Sequence, residues 1–206
     1  MKTLFLTSFF KDVAKMFPEF TGNTCDGKKV CFIPTASLPE KVTFYVGADK
    51  KALQKLGMEV NELEITQTPN EVIRERILYS DYIFISGGNT FFLLQELRKT
   101  GTDKLIVEHI NKGKVFIGAS AGSMILADNI EYVKHMDSPL AAPELNENFA
   151  ALAVTPFSVV PHATNVPFKK AAEKILAVYG GSLDLRPISN NQAIAVTGDD
   201  VKTITA

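Results

Sequence analysis

The stretch VFIGASAGSM, residues 115–124, decides how this chain is read. Val115-Phe116-Ile117 runs into Gly118-Ala119-Ser120-Ala121-Gly122, and apolar residues resume at Met124. A short apolar run stopped by glycines predicts a buried strand that ends in a tight bend. A serine at the tip of such a bend is the G-x-S-x-G nucleophile elbow. Its glycines clear space where strand and helix crowd each other, and its serine sits in a strained conformation. The N–H of Ala121 would point to where an oxyanion forms, and a helix starting near Gly122 would aim its positive end at the same place. The alternative is a plain structural turn.

Outward from this stretch the chain alternates strand and helix. Residues 2–8 (KTLFLTS) read as a strand, and 28–37 (KKVCFIPTAS) as a second, stopped by Pro34. Residues 41–57 form a helical pattern ending at Gly57, and 58–65 a strand nearer an edge. Residues 68–80 read as a helix with Thr68 as N-cap and Pro69 in the first turn. DYIFISGGN (81–89) is a strand running into glycines, followed by helices over 90–101 and 103–113. A strand within 153–164 precedes a helix over 168–180, and the tail from 194 to 206 reads as a hairpin turning at Gly198-Asp199. The whole chain, 1–206, reads as one domain. Alternation of this kind implies an α/β fold, doubly wound, with a mostly parallel sheet and helices on both faces. Ligands in such folds bind beyond the carboxyl ends of the strands.

Three strand ends carry unusual residues: Gly87-Gly88-Asn89, Gly118 to Gly122, and Pro161-His162. The paired glycines let backbone N–H groups approach a ligand, and a helix start there suits a carboxylate or an oxyanion. The competing reading is a glycine turn with Asn89 as N-cap. A phosphate loop is disfavoured, because the Walker lysine and G-x-G-x-x-G are both missing. Of the three histidines, His109 lies in a helical pattern and reads as a packing or surface residue, and His135 lies in a polar loop. His162 ends a strand at the same edge as Ser120, which makes it the candidate general base. A base is oriented by a partner on its other nitrogen. Asp137 is the candidate, because Ser138-Pro139 predicts a turn that could direct it; Asp128, Glu131 and Glu144 compete.

Composition narrows the function classes. Among 206 residues the formal net charge is −1, with 46% hydrophobic and 22% charged residues. No basic excess marks a nucleic-acid or membrane-surface partner. No apolar run reaches the roughly 18–20 residues that span a bilayer. The apolar N-terminus is interrupted by Lys11 and Asp12 and lacks a small-x-small cleavage site, so it reads as a first strand and not a leader. Cys25 and Cys31 form no metal pattern, which points to reduced thiols and a cytoplasmic protein.

Taken together, Gly87-Gly88-Asn89-Thr90, Gly118-Ala119-Ser120-Ala121-Gly122 and Pro161-His162 resemble the peptidase S51 family, which includes aspartyl dipeptidases (peptidase E) and cyanophycinase. The resemblance runs from the first strand through the tail. It implies a flavodoxin-like α/β fold related to class I glutamine amidotransferases, with serine where those carry cysteine. It further implies a cofactor-free serine hydrolase cleaving short peptides, with Ser120 as nucleophile, His162 as base, and Gly88 and Ala121 as oxyanion donors beside Asn89. Family members place the triad acid either shortly after the serine, which Asp137 could match, or after the histidine. Here the latter stretch is Ser189-Asn190-Asn191-Gln192-Ala193, which leaves Asp137 or an amide. The aspartyl dipeptidases resemble one another in an arginine on the helix after the histidine. None of Arg74, Arg76, Arg98 and Arg186 lies in 163–180, and Lys169 and Lys170 are not fork-shaped carboxylate clamps. The other readings are an α/β-hydrolase esterase, which usually needs a longer chain and a later histidine, and a non-catalytic binding module on the same fold.

Overall fold

A computed structural model describes residues 1–22 and 25–206. Seven strands form the main sheet. They are β1 (Thr3–Thr7), β2 (Lys29–Ile33), β3 (Glu59–Glu62), β4 (Tyr82–Ile85), β5 (Val115–Ala119), β8 (Gln192–Thr197) and β9 (Asp200–Thr205), in the order β3-β2-β4-β5-β1-β8-β9. The first five are parallel; β8 runs antiparallel to β1, and β9 to β8. Two further strands, β6 (Ser158–Val160) and β7 (Leu185–Pro187), pair parallel to each other outside this sheet. The helices are α1 (Phe10–Val13), α2 (Phe17–Phe20), α3 (Phe44–Lys55), α4 (Asn70–Tyr79), α5 (Thr90–Thr100), α6 (Thr102–Asn111), α7 (Ala121–Met124) and α8 (Lys169–Tyr179).

Strand alternation gives the two faces of the sheet different cores. Leu4, Leu6, Ile33, Ile83 and Ile85 point into an aliphatic layer with Ile73, Ile77, Leu94 and Ile106 from α4, α5 and α6. Their chain neighbours Phe5, Phe32 and Phe84 point into an aromatic layer with Phe10 and Phe17. Phe32 and Phe84 stack at 4.9 Å, while Phe5, Phe10 and Phe17 meet edge to face. The apolar N-terminal run forms β1 and two short helices, whose Phe10 and Phe17 fill this layer. Among the described residues no helix is long and apolar enough to cross a membrane.

The elements follow the sequence pattern, with shifts at their ends. Helix α3 begins at Phe44 and not at residue 41. Thr68 does not cap α4: its hydroxyl donates to the Glu64 carbonyl, and Pro69 occupies the cap position. The tail hairpin forms about Gly198-Asp199 and joins the main sheet beside β1. The strand expected within 153–164 is only three residues long and leaves the main sheet for β7.

The carboxyl ends of β4, β5 and β1 lie side by side, so their loops meet. The elbow is tied down from below. The buried Ser123 hydroxyl lies 2.8 Å from the Thr7 carbonyl and 2.9 Å from that of Gly118, and it accepts the Thr7 N–H at 3.0 Å. Thr7 Oγ1 donates to the Gly118 carbonyl at 2.9 Å, and Ser120 N–H to the Thr7 carbonyl at 2.9 Å. Removing the Ser123 hydroxyl strands a buried N–H, which costs about 1–3 kcal/mol. Ser123→Ala is therefore expected to lower the urea midpoint by that amount of stability with little change in the slope. An unchanged midpoint would show that the staple carries no load.

Candidate active site

The elbow has the backbone that its sequence pattern demands. Ser120 has φ 49° and ψ −106°, a conformation native to glycine. The neighbouring glycines are there for lack of room. A Cβ on Gly122 would lie 2.2 Å from the Ile85 carbonyl oxygen of β4, and one on Gly118 would lie 2.5 Å from the Gly122 carbonyl oxygen. Helix α7 is a single turn, so the local N–H of Ala121, and no long helix dipole, is what it presents near the serine.

The structure brings His162 to Ser120. Its Nε2 lies 3.2 Å from Ser120 Oγ, and both residues are half-buried. His162 also has a positive φ, 57°. Its N–H donates to Ser8 Oγ at 2.9 Å, and the next N–H, of Ala163, donates to the Ile188 carbonyl. Ser8 follows β1 and Ile188 follows β7, so the small two-stranded sheet carries the histidine to the edge of the main one. Among the described residues five non-glycine residues have positive φ, and Ser120 and His162 are two of them. Strain at both members of one hydrogen-bonded pair is a mark of a functional site.

The third position departs from expectation. Asp137 does not face His162. Its Oδ2 accepts the N–H of Thr90 at 2.8 Å and the Thr90 hydroxyl at 2.6 Å. The Ser138-Pro139 turn does form, with Ser138 capping a 3₁₀ turn over Pro139–Ala141. It aims Asp137 at the start of α5 instead. The partner of His162 Nδ1 is Asn190, whose Oδ1 lies 2.7 Å away. Asn190 is set in turn by its own N–H, which donates to Asn165 Oδ1 at 2.9 Å. An amide oxygen there accepts a hydrogen bond from Nδ1–H, which keeps the proton on Nδ1 and leaves the Nε2 lone pair facing Ser120.

The electrostatics follow from this arrangement. Burial pulls the His162 pKa below its ordinary 6.5, and the Asn190 hydrogen bond only partly offsets it. Burial pushes Asp137 up to about 6, against the two Thr90 bonds and with Glu40 adding to the rise. Tyr45, which the sequence did not mark, belongs to the same surface. A Cβ on Gly87 would lie 3.4 Å from Ser120 Cβ and 3.5 Å from the Tyr45 ring. Burial first, then the charges of Glu40 and Asp137, raise the Tyr45 hydroxyl to about 12.

The glycine turn lies against the serine, and Gly88 has φ 137°. A Cβ there would come within 2.1 Å of the Ala36 carbonyl oxygen, so a side chain at Gly88 disturbs the backbone before it can report on an oxyanion. Among the described residues the N–H groups of Gly88 and Ala121 meet no acceptor. Asn89 is the N-cap of α5: its Oδ1 accepts Phe92 N–H, its Nδ2 donates to the Ser138 carbonyl, and its N–H donates to Ala36. Both polar atoms of its side chain thus already have a partner within the protein. His109 is a packing residue, buried on α6 with Nε2 at 3.1 Å from the Val115 carbonyl. Among the described residues no three His, Cys, Asp or Glu side chains are grouped to hold a metal ion.

Residues 4–204 match the model of peptidase family S51. The chain belongs to peptidase family S51. It is 52% identical over 203 residues to an uncharacterized peptidase of Listeria innocua, covering 98% of this chain and 96% of that one. It is 34% identical over 142 residues to peptidase E of Shewanella oneidensis, covering 69% of this chain and 56% of that one. The crystal structure of a candidate peptidase E protein from Listeria monocytogenes superposes with a TM-score of 0.95 at 49% identity, covering 100% and 99% of the two chains. A peptidase from an acI-B1 actinobacterium shares the fold, with a TM-score of 0.72 at 21% identity over 100% of this chain and 88% of that one. S51 membership sets aside the α/β-hydrolase reading.

Strain at the S51 elbow is open to direct measurement. A non-glycine residue in such a region costs about 1–3 kcal/mol. Glycine relieves it but returns about 0.4–1 kcal/mol through the unfolded chain. Ser120→Gly is therefore expected to melt above Ser120→Ala by about 2–4 °C. Ser120→Gly melting below Ser120→Ala would mean that the elbow is unstrained.

Proposed function

We propose that this S51 protein is a serine hydrolase of short peptides, working through an acyl-enzyme on Ser120. The observation that carries the reading is the Ser120 Oγ to His162 Nε2 contact of 3.2 Å, with Nδ1 held by Asn190 at 2.7 Å. Ser120 Oγ attacks the scissile carbonyl while His162 Nε2 takes its proton. The N–H groups of Ala121 and Gly88 receive the developing oxyanion. His162 then protonates the leaving amine, and the C–N bond breaks. Water, deprotonated by the same nitrogen, attacks the ester and releases the acid and free Ser120. Asn190 orients the ring and stabilises the imidazolium by a hydrogen bond without a full charge. Asp137 acts at a distance from the base: it fixes the start of α5 and hence the glycine turn.

Replacement of the nucleophile tests this. Ser120→Ala and His162→Ala are each expected to lower kcat for peptide hydrolysis by several orders of magnitude, with the double variant little worse than either. A Ser120→Ala enzyme that retains most of its turnover would refute the reading.

The amide partner has a pH signature. A base whose pKa is lowered stays neutral further into acid, so the acid limb of kcat/KM should fall below pH 6.5, the ordinary histidine value. A carboxylate at the same place favours the imidazolium. Asn190→Asp is therefore expected to move that limb to higher pH by about 1–3 units. Asn190→Ala should reduce kcat, whereas changing the exposed Asn191 should not. An acid limb that ignores Asn190→Asp would separate this residue from the base.

A further inference from the structure

The exposed apolar side chains are unevenly placed. Among the described residues, half of the twelve large hydrophobic side chains that stay exposed fall in three segments: Leu38, Val42 and Phe44, then Leu140, then Val166 and Phe168. The three segments lead to the glycine turn, the start of α5 and His162 respectively. Leu38 follows Ser37, whose backbone packs against Gly88. Phe44 is 72% exposed and meets the Tyr45 ring edge-on at 6.0 Å, and Tyr45 in turn borders Gly87, which also lies against Ser120. Leu140, 88% exposed, follows the Asp137-Ser138 pair that clasps the start of α5. Phe168 stacks on His162 itself, with centroids 4.9 Å apart and planes 29° apart. An apolar rim of this kind is unfavourable in water and is expected where a ligand covers it.

Charge points the same way. Three of the four guanidinium groups are engaged elsewhere, and the fourth belongs to α4. Arg98 is bonded to Asn148 and Ala150, Arg186 is paired with Asp184, Arg76 donates to the Glu62 carbonyl, and Arg74 lies on α4 toward Glu108. The charges felt at Tyr45 are those of Glu40 and Asp137, both acidic. An acidic side chain beside Tyr45 would lie in the field of the same two acids, Glu40 and Asp137, without a fork-shaped cation shown to offset them.

Resting on the acyl-transfer reading, we propose that this site selects peptides with uncharged apolar side chains on both sides of the scissile bond, and rejects an acidic residue at the acyl position. His162 hands its proton to the leaving amine, so Phe168, stacked on it, borders the leaving residue. The Phe44-Tyr45 pair, reaching Ser120 through Gly87, borders the acyl residue. Phe168 is thus a specificity-determining residue for the leaving side.

The test is kcat/KM on the dipeptides Leu-Phe, Leu-Gly and Asp-Phe, with p-nitrophenyl acetate as a side-chain-free reporter of Ser120. The expected order places Leu-Phe at least tenfold above both others. Phe168→Ala should collapse the Leu-Phe to Leu-Gly ratio toward one, mainly through KM, and Phe168→Leu should restore part of it. A purely structural role would lower both substrates alike and leave the ratio intact, which would overturn the assignment of Phe168. Faster Ser120-dependent cleavage of Asp-Phe would overturn the selectivity while leaving the acyl-transfer reading in place. So would Ser120-dependent release of p-nitrophenolate with no dipeptide cleaved. Silence toward the ester and all three dipeptides would remove the acyl-transfer reading and this inference with it.

Discussion

The close approach of α7 to β4 is the constraint on which the site depends. Gly122 sits so near the Ile85 carbonyl that no side chain fits, and Gly118 is equally crowded by Gly122. A strand turning into a helix in that space forces the intervening residue to a positive φ, and that residue is Ser120. The hydroxyl is thereby lifted beyond the carboxyl edge of the sheet, where the loops after β4 and β1 converge. Ser123 and Thr7 hold the bend from below, so the strain is met by buried hydrogen bonds to β1 and not by a flexible loop. Precise placement of a nucleophile requires such support, because small displacements are costly in rate.

The base is supported in a different way. His162 arrives on the small β6-β7 sheet, is pinned by Ser8 from β1, and is oriented by Asn190 from the loop before β8. Nothing in this set carries a full charge. The imidazole therefore stays neutral over a wider pH range than one paired with a carboxylate, at the cost of weaker stabilisation once it is protonated. The acidic groups of the site, Asp137 and Glu40, lie on the Tyr45 side. The site thus divides into an uncharged proton-transfer side and an acidic side.

Much of this was legible in the sequence, and for physical reasons. The strand-helix alternation and the G-x-S-x-G spacing are local signals, because period and crowding are set by near neighbours. The alternative reading of Asn89 as an N-cap was also legible, since a cap bonds within one turn, and its Oδ1 accepts the Phe92 N–H there. Asp137 shows where local reasoning stops. The turn at Ser138-Pro139 was foreseen, but the direction of its aspartate depends on how residues 125–150 cross α5. That path is fixed by contacts such as Thr90 to Asp137 and Gln95 to Glu144, which join residues far apart in the chain. The stretch 189–193 showed that an amide could replace the acid, yet only the fold singles out Asn190. Tyr45 carried no motif at all, and the three-residue strands β6 and β7 are too short for any periodicity to show.

The most direct test of the central claim is covalent. The folded protein would be treated with a fluorophosphonate probe, and the modified site located by mass spectrometry. An elbow serine activated by His162 predicts a single adduct per chain on Ser120, and strongly slowed labelling in His162→Ala. An unlabelled Ser120 in folded protein, or an adduct on another residue, would contradict it.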